Sequence, residues 1–150
     1  MAGGAYGPDT EELLRRIAAC KDKWYEFGKS TTLNVSFLQI RSLPPLPRYL
    51  EFLICYETPL EELPDLPEGL LTLQCDMTQL RRLPKLPVCL KTLICSNIRT
   101  LQELPALPQG LEVLECCLTG IGELPPLPSS LKTLYCNFTQ ITDLPDLPKV

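Results

Sequence analysis

The chain has 150 residues, 45% of them apolar, and a formal net charge of −4 with positive and negative residues interspersed. This size and composition predict one soluble domain, and no apolar run approaches the roughly 18 residues that span a bilayer. A net negative charge disfavours nucleic acid as a partner, because phosphate binding requires clustered Lys and Arg. The absence of histidine excludes Ser–His and Cys–His nucleophilic pairs and histidine-containing metal sites.

The first eight residues lack the basic start and apolar stretch of a secretory signal, and an amphipathic helix pattern follows them. Asp9 and Glu12 have the spacing of a capping box, and Gly28 is placed to end the helix. The predicted apolar face consists of Leu13, Ile17, Cys20, Trp24 and Phe27. Since a repeat array follows, and its first unit has no preceding neighbour, we expect residues 1–30 to form a tail and a capping helix, with the two aromatic residues covering that unit. A helix that binds another protein is the alternative.

The motif L-P-x-L-P recurs six times, at intervals of 20 residues with one interval of 21. The copies lie at 43–47, 63–67, 83–87, 104–108, 124–128 and 144–148. Each complete unit reads L-x-x-L-x-C-x-x-T-x-L-x-x-L-P-x-L-P-x-x, in which inward apolar residues on either side of one variable residue predict a short strand. The prolines favour an extended, polyproline-like return on the convex side. We therefore expect an α/β solenoid over residues 31–150, with six short parallel strands behind one capping helix.

One unit is a residue longer than the others. The extra residue lies between Cys95 and Leu101. Because loops absorb insertions at low cost, we expect a local bulge and no break in the array.

This unit resembles a leucine-rich repeat of the short bacterial type. It is similar to the L-P-x-L-P repeats of secreted bacterial effectors, including effectors that carry a ubiquitin-ligase domain after the repeats. Variants with cysteine at the third inward position resemble repeat proteins of bacteria, protists and giant DNA viruses. The family often has asparagine three positions after that residue. Here threonines stand there (Thr58, Thr78, Thr119 and Thr139), so we expect a ladder of hydroxyls that bridges neighbouring units and is broken at the inserted loop.

Five cysteines occupy one position in successive units and should form a column: Cys55, Cys75, Cys95, Cys116 and Cys136. Cysteine is a small, commonly buried residue, and its thiol is unreactive in apolar surroundings, so we interpret the column as core. Zinc ligands usually converge in close sequence pairs, and the sequence predicts no metal and no cofactor. Cys117 should face outward on the concave side, and Cys89 lies in a convex turn. These packing roles favour a reducing, intracellular compartment over a secreted disulfide framework.

The concave sheet is the surface most suited to binding. Aromatic and β-branched residues occupy its outward positions, although β-propensity alone could place them there. Our first hypothesis is a non-enzymatic module that binds another protein through this face. The predicted contact residues are Phe52, Ile54, Tyr56, Asp76, Ile94, Val113, Glu115 and Tyr135.

Two alternatives remain open. The last unit leaves apolar residues without a following turn, so the protein could be an assembly subunit whose C-terminal edge meets another copy, another subunit or further chain. The resemblance also suggests the recognition part of a ubiquitin-ligase effector, delivered to a host cytosol. Cys20-Lys21-Asp22 matches the C-x-D tripeptide of such ligases, but it lies in the predicted cap, and chance explains three residues better.

Overall fold

The computed structural model describes residues 5–21 and 31–147. These ranges contain one helix, α1 (Thr10–Lys21), and six strands of three residues each. The strands are β1 (Thr32–Asn34), β2 (Phe52–Ile54), β3 (Thr72–Gln74), β4 (Thr92–Ile94), β5 (Val113–Glu115) and β6 (Thr133–Tyr135). They form one parallel sheet in chain order, so the predicted solenoid is confirmed. Within the described ranges no helix has the length and apolarity to cross a membrane.

The core is a stack of equivalent residues from successive turns. The central leucine of each strand pairs with its counterpart in the next, from Leu33 to Leu134. The central leucines of β1 to β5 are fully buried, and the one in β6 is half-buried because no described strand follows it. Each buried leucine contributes about 1.5–3 kcal/mol, so repetition compensates for very short strands.

The convex return is closed by its second proline. The main-chain N–H of the first leucine in the next unit donates to that proline's carbonyl, as from Leu50 to Pro47 at 3.2 Å and from Leu70 to Pro67 at 3.0 Å. The same bond recurs in all the later units that the structure describes at this point. Proline lacks the donor that would continue a helix, but its carbonyl remains free to accept and so directs the chain into the next strand.

Helix α1 covers the first turn of the solenoid. Leu13, Ile17 and Cys20 are buried, and the helix packs against β1. The predicted cap is therefore present, while Trp24, Phe27 and Gly28 lie outside the described residues.

The start of α1 differs from the predicted capping box. Both carboxylate oxygens of Glu12 accept hydrogen bonds of 2.7 Å from Arg15 and Arg16 instead of facing the helix start. These arginine bonds lower the pKa of the Glu12 carboxyl to about 2. Asp9 Oδ2 accepts a 2.7 Å bond from the main chain of Gln39, so Asp9 fastens the cap to the first return.

The predicted threonine ladder is wrong. Each threonine hydroxyl donates to the carbonyl of the cysteine three residues earlier in its own unit, at 2.7 Å for Thr58 and 2.8 Å for Thr78. Thr119 and Thr139 form the same bond at 2.9 Å. Two residues separate the cysteine from the threonine, and the second of them has positive φ, which folds the chain back on itself and brings the hydroxyl to that carbonyl. In the longer unit, the buried residue Ile98 stands at the position of the threonine, so the series of threonines is interrupted at the inserted loop, as predicted.

The inserted residue leaves the sheet intact, as expected. Strands β4 and β5 keep the regular register, with Thr92 opposite Val113. The accommodating feature is Gly120 in the next turn. A Cβ at Gly120 would lie 2.8 Å from the carbonyl oxygen of Arg99 and 3.2 Å from that of Leu101. The bulge therefore occupies space that a side chain would need.

We predict that Gly120→Ala destabilises the protein by about 1–3 kcal/mol, since main-chain atoms of the bulge must move to admit the methyl group. Gly122→Ala is the matched control, because a Cβ there meets no atom within 4 Å. Its effect on the free energy of unfolding should stay within about 0.5 kcal/mol. Urea unfolding of both variants measures the difference, and equal stabilities would contradict the role assigned to Gly120.

Candidate protein-binding face

The concave face consists of three columns of outward residues. Two columns flank the buried central leucines of the strands, and the third follows the cysteine column. We name the third the polar column. It comprises Ser36, Tyr56, Asp76, Ser96, Cys117 and Asn137. Main-chain bonds continue the sheet register beyond the strands, as from Phe37 N to the Tyr56 carbonyl at 3.3 Å and from Glu57 N to the Asp76 carbonyl at 3.1 Å. Neighbouring members of the polar column are therefore adjacent in space.

The predicted contact residues fall on this face in two groups. Phe52, Ile54 and Tyr56 alternate along one turn and are half-buried. Glu115 lies directly opposite Tyr135, whose side chain is exposed.

The remaining predicted residues connect these groups or lie beside them. Asp76 follows Tyr56 in the polar column, and Ile94 stands in register with Glu115. Val113 belongs to the first flanking column, beside Thr92 and Thr133. The fold thus brings the predicted residues onto one surface without merging them into one pocket.

A further column along the edge of this face was missed by the sequence interpretation. We name it the rim; it comprises Phe37, Glu57, Met77, Asn97, Leu118 and Phe138. All six have φ between 51° and 66°, a left-handed conformation that is uncommon for residues other than glycine and asparagine. Four are large apolar residues with exposed fractions of 58% for Phe37, 49% for Met77, 40% for Leu118 and 81% for Phe138. The sequence does contain a signal for the rim. In each unit the rim position lies two residues after the third inward residue, and this position is usually apolar although it lies in a turn.

The cysteine column is core, as predicted. Cys55, Cys75, Cys95 and Cys116 are fully buried, and Cys136 is half-buried in the last turn. Burial raises the pKa of these thiols, to about 12 for Cys116 and well above the usual range for Cys75 and Cys95. No disulfide joins any of the eight cysteines, all of which lie in the described ranges. No group of three potential metal ligands occurs among the described residues.

Three other cysteines lie outside this column. Cys89 is exposed and Cys117 is half-buried, in agreement with the sequence interpretation. Cys20 is buried at the contact between α1 and the sheet, where its Sγ donates to the Thr32 carbonyl at 3.2 Å. The third residue of the C-x-D tripeptide, Asp22, lies outside the described residues.

The two ends of the sheet differ. Beyond β1, α1 covers the core, and Arg41 N donates to the Tyr6 carbonyl at 2.8 Å. Beyond β6 no described element follows. Leu144 and Leu147 are 54% and 61% exposed there, whereas their counterparts Leu104 and Leu107 are 9% and 6% exposed. We name this surface the C-terminal edge.

The architecture matches solved structures of bacterial effectors. YopM from Yersinia enterocolitica has a TM-score of 0.86 and 34% identity over 92% of this chain. YopM from Yersinia pestis, described as a leucine-rich effector protein, has 0.86 and 33% over 97%. The leucine-rich-repeat domain of a Shigella effector has 0.86 and 31% over 93%. This chain is a leucine-rich-repeat protein. It covers only 30%, 40% and 61% of those three chains, respectively. No family model and no curated protein sequence matches it.

We predict that this leucine-rich-repeat protein loses stability steeply above about pH 9. The folded-state pKa values of Cys55, Cys75, Cys95 and Cys116 lie above the ordinary value of 9.0. Above pH 9 the unfolded chain releases these protons while the folded chain keeps them, so the stabilisation present below that pH is lost as pH rises. Each thiol contributes about 1.4 kcal/mol per pH unit.

Urea unfolding between pH 7 and 10.5 measures this slope. Four thiols give about 5.5 kcal/mol per pH unit at the steepest part. Cys89→Ser is the control, because it removes an exposed thiol that lies outside the buried column. A flat profile up to pH 10.5 would contradict the assignment of the column as protonated core.

Proposed function

We propose that this protein is a non-enzymatic module that binds another protein on its concave face and rim. The observation that carries the proposal is the rim. Large apolar side chains are exposed there in a backbone conformation that costs about 1 kcal/mol or more for each residue. Neither burial nor backbone preference accounts for phenylalanine, methionine and leucine in such turns. A partner that covers them does.

The flanking columns and the polar column supply the rest of the interface. Phe52 and Ile54 belong to β2, and Tyr56 lies between this strand and the rim. Aromatic and branched side chains therefore continue from the strand to the rim. Aromatic residues dominate the energetics of protein interfaces. The likeness to effector proteins supports the same class of function.

We predict that the double variant Phe52→Thr/Tyr56→Thr weakens partner capture at least about tenfold, since each lost aromatic anchor is worth about 2 kcal/mol at an interface. Threonine preserves β-propensity, so the free energy of unfolding should change by only about 1 kcal/mol. Lysates of the source organism and of a mammalian cell line are passed over immobilised protein, and bound proteins are quantified by mass spectrometry.

Val88→Thr is the matched control for this experiment, because Val88 is 72% exposed on the convex side. Proteins captured by the wild type and by this variant, but not by the double variant, meet the expectation. Unchanged capture by a folded double variant would contradict the concave assignment.

A second function is favoured by the C-terminal edge. The exposed leucines at 144 and 147 and the exposed aromatic ring at 138 form an apolar surface next to a strand with no described neighbour on one side. Such an edge pairs readily with another chain. Because α1 covers the opposite end, two copies would meet edge to edge in a closed dimer and would not form a filament.

If the edge is used in this way, multi-angle light scattering at micromolar concentration detects a dimer, and Phe138→Asp/Leu147→Asp converts it to a monomer. Phe37→Asp is the control, since Phe37 occupies the same repeat position at the capped end of the sheet. A monomer for the wild type would exclude self-assembly at this concentration.

We also propose a reducing compartment for this protein, such as a host cytosol reached by delivery as an effector. The eight cysteines, none of which forms a disulfide in the described ranges, and the effector neighbours support this. Residues 1–30 and 31–150 are proposed as the cap region and the solenoid, in agreement with the start of β1 at Thr32.

A further inference from the structure

We propose that the concave face contains a binding site for an arginine side chain of the partner protein. The site is formed by the rings of Phe37 and Tyr56 together with the carboxylate of Asp76, and Ser36 is the other neighbour of Tyr56 in the polar column. This inference rests on the proposed function, because it names the chemical group that the concave face recognises.

The two rings form a corner. Their centroids are 5.0 Å apart and their planes are at 80°. The main chain fixes this arrangement, because Phe37 has φ of 66° and its N–H donates to the Tyr56 carbonyl at 3.3 Å. Phe37 remains 58% exposed, so its ring is accessible to a ligand. A cation over an aromatic face is attracted by the ring quadrupole.

Asp76 lies next to Tyr56 in the polar column. Its Oδ1 is buried and has no hydrogen-bond partner, and no ion pair formed by the described residues includes Asp76. A buried acceptor without a partner costs about 1–3 kcal/mol, and more when it is charged. Asp76 as a whole is half-buried, so a donor that arrives on the concave face would meet the exposed part of the carboxylate and offset this cost.

Ser36 lies on the other side of Tyr56 in the same column. It is 4% exposed, and its Oγ is the other buried side-chain oxygen without a partner in the described ranges. Another serine of this column, Ser96, does have a partner, because its Oγ accepts a 3.0 Å bond from the main chain of Cys117 in the next turn. The two residues with unpartnered oxygens, Ser36 and Asp76, therefore lie on either side of Tyr56 in the column.

Charge selects a cationic ligand. The three columns and the rim contain the carboxylates Glu57, Asp76 and Glu115 and no lysine or arginine. The nearest arginine of the cap, Arg16, is held by Glu12 and by the carbonyl of Asn34. The acidic face is thus left without an internal counterion from these columns.

The shape of the site favours guanidinium over ammonium. Arginine is planar, stacks on aromatic rings and presents a fork of donors that fits a carboxylate, whereas the lysine ammonium is a compact and strongly hydrated charge. A guanidinium against the aromatic corner would direct its donors to Asp76 in the neighbouring turn.

The test is a titration of the uniformly ¹⁵N-labelled full chain with N-acetyl-arginine N-methylamide, followed by amide chemical shifts. We expect saturable shifts at Ser36, Phe37, Tyr56 and Asp76. The citrulline analogue, which has the same shape without the charge, should bind at least about tenfold more weakly. The lysine analogue should also bind more weakly. Equal binding of either analogue would overturn the guanidinium assignment.

Two isosteric variants locate the site. Asp76→Asn should weaken arginine binding at least about tenfold, because a charged hydrogen bond is lost. Glu115→Gln removes a carboxylate on the same face two turns away and should leave affinity within about twofold, since exposed charges at that distance are screened. Equal losses for the two variants, or no loss for Asp76→Asn, would overturn the proposal.

A third variant separates binding from folding. Asp76→Ser places at this position the residue that Ser96 shows can accept a bond from the next turn. We expect it to unfold at a higher temperature than the wild type while losing arginine binding. A lower unfolding temperature together with retained binding would contradict the site. The titration uses no partner, so its failure leaves the lysate result for the concave face intact, and loss of the concave assignment leaves the titration interpretable.

Discussion

Each turn of the solenoid must return the chain to the same register after 20 residues, and the rest of the structure depends on this constraint. Strands of three residues contribute few main-chain bonds, so their pairing cannot hold the register alone. The second proline of each return accepts a bond from the following leucine, and the left-handed rim residue turns the chain out of the strand. These two devices lie at opposite ends of the strand and fix its height in the stack.

The same constraint explains the core and its one irregularity. A residue that recurs in register meets copies of itself above and below, so a small thiol packs where a column of larger side chains would collide. An extra residue cannot be absorbed within its own turn alone. The bulge near Thr100, whose hydroxyl donates to the Leu80 carbonyl in the preceding turn, is matched by Gly120 in the following turn. Irregularity in a repeat array is therefore shared by three consecutive turns.

Repetition made the architecture predictable from the sequence. Six copies of one motif determined the period, the inward positions and the parallel sheet, and the buried cysteine column followed from them. The direction of single hydrogen bonds was not predictable. The threonines bond within their own turn because the rim residue is left-handed, and of the residues at that position, which include phenylalanine and methionine, only Asn97 favours positive φ. The exposed rim was missed for the same reason, and the pairing of Phe37 with Tyr56 depends on the register between turns.

The polar column shows how a repeat protein acquires a specific site. A polar side chain in such a column can accept a bond from the next turn, as Ser96 does from the main chain of Cys117. In the same column the Oδ1 of Asp76 has no such partner, and Asp76 lies next to Tyr56, a member of the one aromatic pair that the described residues form across two turns. The cost is tolerated because the stacked leucines on either side are fully buried and hold the turn in place. A specific site can therefore form where a polar side chain has no hydrogen-bond partner within its own column. The stability of the neighbouring turns permits such a residue.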